Sequence, residues 1–166
     1  MALTAKRWQD SASETAQVVL PNDSNPLGYI LGGTVMHMID ITGAIACHRH
    51  TNTLALTAGV DSLDFLHPIR VGDIIILKSR VTATFRTSLE VGVEVYSESI
   101  ITGERKLTSK AYLTFVALDS GGTPTQVPPL LIESADDEAL NRRAHVRRSE
   151  RLARRVSGAE SSAETS

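Results

Sequence analysis

The stretch NPLGYILGGTVMHMIDITGAIACHRH, residues 25–50, decides how the rest of the chain must fold. From Gly33 to about His50 it sets Val35, Met36, Met38, Ile39, Ile41, Ala44, Ile45, Ala46 and Cys47 on nearly every face of a helix, with no proline. A helix that is apolar all round is one that gets buried. Before it lies a loop holding Asn25, and Gly32 and Gly33 stand at the junction. In the middle sits a lone carboxylate, Asp40. An ionised carboxylate is expensive to bury unpaired, so Asp40 has either a structural partner or a chemical task.

Outward from the helix the period changes. In SLEVGVEVYSE, residues 88–98, Leu89, Val91, Val93 and Val95 alternate with Glu90, Gly92, Glu94 and Tyr96, the pattern of a strand with one buried face. Residues 54–66, 73–85 and 105–118 read the same way, and 14–20 supplies a first strand stopped by Pro21. The connections HPIRVGD, RTS and TGE are short and suit antiparallel neighbours. The expected fold is α+β, a curved antiparallel sheet wrapped around one long central helix. One helix covers one face only. The other face and the strand edges need cover, and long unpaired edges invite a second copy.

At 166 residues the chain holds about one domain, expected over 14–132, with a flexible N-terminus at 1–13 and a charged helix plus disordered tail at 133–166. In the tail Asp136, Asp137 and Glu138 lead and arginines from Arg142 to Arg155 follow, which suits a helix macrodipole. A solvated helix is favoured there over a nucleic-acid-binding arm. Net charge is −2, so nothing in the overall balance draws the chain to nucleic acid or an anionic membrane. The single cysteine, Cys47, excludes an intramolecular disulfide, and no apolar run approaches a signal peptide or membrane span. A cytoplasmic location is expected.

The spacing in the opening stretch constrains any chemistry. Exposed N–H groups at a helix start can hold an oxyanion, Gly32 and Gly33 let a substrate approach them, and Asn25 can offer an amide. Gly32 and Asp40 are eight residues apart, roughly 12 Å of helix. One helix cannot bring both ends to one carbonyl, but two antiparallel copies can. A catalytic site built from these residues is therefore shared between subunits.

The ordered set Asn25, Gly32-Gly33 and Asp40, followed by AGVDSLDFLHPIRVGD, RTSLEV, ITGERKLT and FVALD, resembles the hotdog-fold acyl-CoA thioesterases. It is most similar to the small bacterial acyl-CoA hydrolases related to the brain-type cytosolic enzyme, over about residues 16 to 132. The resemblance implies acyl-CoA thioester hydrolysis with no metal and no cofactor beyond the CoA of the substrate, in homodimers that assemble as a trimer of dimers. It implies Asp40 as general base or nucleophile, Asn25 of the other subunit as the group orienting carbonyl or water, and the N–H of Gly32 or Gly33 as oxyanion donor. It also directs attention to the Arg86-Thr87-Ser88 turn, and more weakly to Arg105, as neighbours of CoA. Some relatives carry a threonine one turn after the carboxylate, where this chain has Ala44. The competing reading is an acyl-CoA-sensing module whose basic tail contacts nucleic acid.

Other tempting residues carry less. His48 and His50 project from different sides of a helix, which disfavours a metal pair. Cys47 has no visible histidine to activate it and is expected to be a buried thiol. His37, three residues before Asp40, is a weak candidate for a dyad. Arg49 and His50 are expected to cap the helix end.

Overall fold

The computed structural model describes residues 3–163, with side chains through residue 158. The elements in chain order are β1 (Ser13–Val18), α1 (Gly32–Thr51), β2 (Leu54–Phe65), β3 (Ile74–Thr84), β4 (Ser88–Glu98), β5 (Arg105–Leu118) and α2 (Ala135–Ala163). The strands form one antiparallel sheet in the order β1-β3-β4-β5-β2. The expected helix and all five expected strands are present.

Alternation along the strands builds two faces. Leu89, Val91, Val93 and Val95 of β4, Ala111, Leu113, Phe115 and Ala117 of β5, and Ile75, Leu77 and Val81 of β3 form the core with Val35, Ile39, Ala46 and Cys47 of α1. The helix lies close on this sheet at Gly43, where a Cβ would meet the Phe115 ring at 3.3 Å. Its C-terminus is closed by Asn52 in the left-handed conformation, φ 53°, whose N–H donates to the His48 carbonyl.

The other face is covered by α2 as far as Arg151, and there the expectation of a solvated helix needs correcting, whereas residues 152–158 are exposed as expected. Just before the helix stands Ser134, whose Oγ accepts from the Asp137 N–H at 3.1 Å, and the helix carries Asp136, Asp137 and Glu138 in its first turn. It then crosses the strands. Asp137 pairs with Arg80 of β3 at 2.6 Å, Asn141 donates to the Thr82 carbonyl at 3.1 Å, and Arg147 holds Glu90 of β4 through two bonds of 2.9 and 2.8 Å. Arg151 reaches Asp61 of β2 at 2.6 Å. Ala144, in the same helix, is fully buried. Of the arginine run, Arg147 and Arg151 dock because Glu90 and Asp61 on the sheet await them, while Arg154 and Arg155 are exposed.

The N-terminal segment, expected to be loose, is held from Lys6 onward. The Lys6 N–H donates to the Pro129 carbonyl and its own carbonyl accepts from Leu131, each at 2.9 Å, while Arg80 stacks 3.9 Å above the Trp8 ring. Arg49 donates to the Ala12 carbonyl at 2.6 Å, and His50 bonds Pro128, so neither caps the helix as expected. The tail expected to be disordered is helical to Ala163; its last three positions lie outside the described residues.

Candidate active site

The loop before α1 is shaped by Asn25. Its Oδ1 accepts from the N–H groups of Leu27 at 3.0 Å and Tyr29 at 3.2 Å, and its main-chain N–H donates to the Tyr29 carbonyl at 2.8 Å. With Oδ1 committed, the amide Nδ2 is the end left to donate outward. The loop delivers Leu31 as the residue capping α1, and no side chain caps that end. The first N–H groups of a helix have no partner inside it. A Cβ on Gly32 would touch the Phe65 ring at 3.5 Å, whereas one on Gly33 would meet nothing within 4 Å. Packing within the chain therefore does not dictate a glycine at 33. Asn25, Gly32, Val35, Phe65, His67 and Ser109 are among the residues lining a cavity of about 290 Å³.

Asp40 is half-buried and does not line that cavity. Its Oδ1 accepts a 2.6 Å hydrogen bond from Thr57 Oγ1 of β2. This partner comes from a neighbouring strand and not from the position one turn along the helix, which is Ala44. Thr57 lies seventeen positions away in sequence and reaches Asp40 where β2 packs beside α1. The bond occupies one oxygen of the carboxylate and orients the other.

The remaining candidates separate. Arg86, Thr87 and Ser88 form the β3–β4 turn, closed by the Phe85 N–H donating to the Ser88 carbonyl at 2.8 Å, with Arg86 exposed. Arg105 opens β5 and is paired with Glu98. Neither group lines the cavity at Asn25. Burial pushes the Cys47 thiol up to about 12, so it is no nucleophile at neutral pH. His48 Nδ1 lies 2.9 Å from the Thr53 carbonyl. No group of three metal-ligating side chains occurs among the described residues, and no helix among them is long and apolar enough to cross a membrane.

The edge strand β2 leaves Leu54, Leu56 and Val60 exposed, and Met36 and Ile41 of α1 are exposed beside it. Asp40, at mid-helix, and Thr57 stand within this apolar margin, and the Asn25 loop precedes the N-terminus of α1.

Comparison with known proteins agrees with this architecture. Residues 27–104 match the thioesterase superfamily. An uncharacterized acyl-CoA thioester hydrolase of Bacillus subtilis is 41% identical over 137 residues, covering 82% of this chain and 80% of the relative. The human cytosolic acyl coenzyme A thioester hydrolase is 35% identical over 139 residues; the match covers 79% of this chain but only 37% of the human protein. Among solved structures, an apo-hexameric acyl-CoA thioesterase superposes with a TM-score of 0.88 at 38% identity, covering 92% of this chain and 97% of the other. An acyl-CoA hydrolase of Staphylococcus aureus, crystallised with butyryl coenzyme A, coenzyme A and coenzyme A disulfide, gives 0.88 at 33% identity, with 95% and 96% covered. With the helix-wrapping sheet, the shared extent and the identity all in agreement, the chain belongs to the hotdog acyl-CoA thioesterases of the thioesterase superfamily.

Proposed function

We propose that this protein hydrolyses acyl-CoA thioesters to a carboxylic acid and free CoA at a site completed by two protomers. One contributes Asn25 and the α1 N-terminus, the other Asp40 with Thr57. The observation that carries the reading is the separation of these groups within one chain: Asn25 and Gly32 line one cavity, and Asp40 is bonded to Thr57 outside it. Eight residues of helix, roughly 12 Å, lie between Gly32 and Asp40. An antiparallel pairing through the exposed β2 edge brings the two halves together.

In this scheme Thr57 holds Asp40 Oδ1, and Oδ2 accepts a proton from water as that water attacks the thioester carbonyl. The oxygen of the tetrahedral intermediate lies against the N–H groups of Gly32 or Gly33, with Asn25 Nδ2 orienting the carbonyl or the water. The C–S bond then breaks and CoA leaves as a thiolate that takes up a proton. Direct attack by Asp40, giving a mixed anhydride that water cleaves, uses the same groups. A thioester is electrophilic enough that the scheme calls for no metal or added cofactor. The Staphylococcus aureus hydrolase has been crystallised as variants with one Asp, one Asn or one Thr replaced by alanine, the same three residue types that this reading brings together.

For CoA, the exposed turn Arg86-Thr87-Ser88 is the stronger candidate phosphate neighbour, because Arg105 is already engaged by Glu98. The crystallised relatives described as hexameric support a trimer of dimers as the assembly. A cytoplasmic location fits the cytosolic human relative. The sensor reading with a nucleic-acid-binding tail is disfavoured, since Arg147 and Arg151 face the sheet and hold carboxylates.

Asp40→Ala is expected to lower kcat on the order of a thousandfold while leaving CoA binding intact, and retained turnover would end the assignment. Mixing Asp40→Ala with Asn25→Ala protomers tests the shared site. Half of the dimers formed are mixed and each then owns one intact site, so roughly a quarter of wild-type activity should return. A site contained in one protomer would recover nothing.

A further inference from the structure

The partner of Asp40 is set on a strand that breaks its own alternation. Thr57 pairs with Phe115 and Gly59 with Thr114; Val60 pairs with Leu113 and Ser62 with Tyr112. Ala58 and Asp61 are thus extra residues, two β-bulges within five positions, just past Thr57. Because Phe115, Leu113 and Ala111 face the core, their partners Thr57, Val60 and Leu63 face α1, at spacings of three instead of two. Regular alternation from Thr57 would have turned Asp61 inward, among apolar side chains. The bulges turn it to the opposite face.

On that face Asp61 is the point where α2 fastens the edge strand. Its side chain is 3% exposed, and Oδ2 accepts from Arg151 at 2.6 Å and from Thr114 Oγ1 at 3.0 Å. Arg147, one turn earlier on α2, is held by Glu90 and stacks 3.6 Å above the Tyr112 ring, so the helix that presents Arg151 is anchored on the central strands. Within one protomer β2 has a hydrogen-bonded neighbour, β5, on one side only, its other edge being the one that meets the second protomer in the proposed dimer. The Arg151 clamp is therefore the second support that the protomer itself gives to a strand whose path places Thr57 on Asp40. A bulge re-aims the side chains around it, and a slip of one residue would exchange the faces.

We propose that Arg151 is a positioning residue for hydrolysis. From the far side of the sheet it holds Asp61 in the bulged path of β2, and so keeps Thr57 Oγ1 on Asp40 Oδ1. This rests on the reading of Asp40 as the catalytic carboxylate. It assigns to the C-terminal helix a part in turnover, beyond covering the sheet.

The test uses the full chain and steady-state kinetics on one acyl-CoA. Arg151→Gln is expected to lower kcat roughly tenfold, with KM within about twofold of wild type, since displacement far from the chemistry costs turnover. Arg151→Lys should restore part of the loss. Combined with Thr57→Val, Arg151→Gln should lower kcat no further than Thr57→Val alone, because both act through one bond. Should Arg151→Gln strand the Asp61 charge and unfold, the neutral pair Asp61→Asn with Arg151→Gln removes that charge and is expected to show the same kcat defect. Wild-type kcat in the folded variants, or losses that multiply with Thr57→Val, would overturn the proposal. Asp40→Asn assayed alongside keeps the two readings apart. Full turnover there removes the catalytic assignment itself, whereas its loss beside wild-type turnover in Arg151→Gln removes only the positioning role.

Discussion

The two faces of the sheet are built from alternate residues of the same strands, yet they are held by different physics. The inner face meets α1 through Val, Ile, Leu, Ala and Phe115, and its cohesion comes from apolar surface removed from water. The outer face meets α2 through carboxylates that are almost fully buried, Glu90 at 2% and Asp61 at 3% side-chain exposure, each answered by an arginine. Apolar contacts are non-directional and tolerate adjustment. A buried ion pair offers little net stability but a severe penalty for misplacement. The inner face thus supplies stability, and the outer face fixes where α2 and the edge strand sit.

The contrast can be broken by substitution. Phe115→Ala should cost about 4 kcal/mol by emptying the core under Gly43, measured by denaturant unfolding at fixed protomer concentration. No second polar change would recover it. Arg147→Met should cost about 3 kcal/mol, because Glu90 is left charged and buried, with Thr82 as its remaining side-chain partner. Adding Glu90→Leu to Arg147→Met should bring the loss down to about 1 kcal/mol, since no charge is then stranded. If the double variant is as unstable as the single one, the outer face is held by packing like the inner one.

The same division explains what the sequence disclosed. Period-two alternation in 88–98 marked the inner face of β4 correctly, and the all-round apolar pattern of 33–50 marked α1, because each is a local consequence of burial. Glu90 looked like an ordinary solvent-facing residue, since alternation says only that it points away from the core. Its partner lies 57 positions on, and a run of arginines carries no register to say which one will dock. Thr57 was missed for a related reason. The two bulges in β2 break the period at the place where face assignment mattered, and turn or bulge signals such as Gly59 do not reveal where the extra residue goes. The N-terminal segment read as loose because the bonds that tie Lys6 down, to Pro129, Leu131 and Asn52, are all distant in sequence. The separation of Gly32 from Asp40 was legible because helical rise fixes it.

One titratable group lies at the apolar end of this contrast, and it should produce the smallest effect. His50, at the end of α1, is fully buried, with Nε2 2.9 Å from the Pro128 carbonyl. A carbonyl only accepts, so Nε2 carries the proton and Nδ1 is neutral, without a partner among the described residues. Burial, partly opposed by the bond to Pro128, holds its pKa below the ordinary 6.5. The folded protein then binds fewer protons than the unfolded chain between the folded-state pKa and 6.5. The resulting stabilisation is complete above pH 6.5 and is lost as pH falls through the folded-state value. Asp10, which also acts on this ring, has its own pKa depressed by the hydrogen bond to Arg7 and stays charged across that window. His50→Gln keeps an N–H for the Pro128 carbonyl but does not titrate. Tm followed from pH 7.5 down to pH 5 should fall more steeply in the wild type than in the variant. Parallel curves would mean that the core end of α1 accepts a charge as readily as the outer face does.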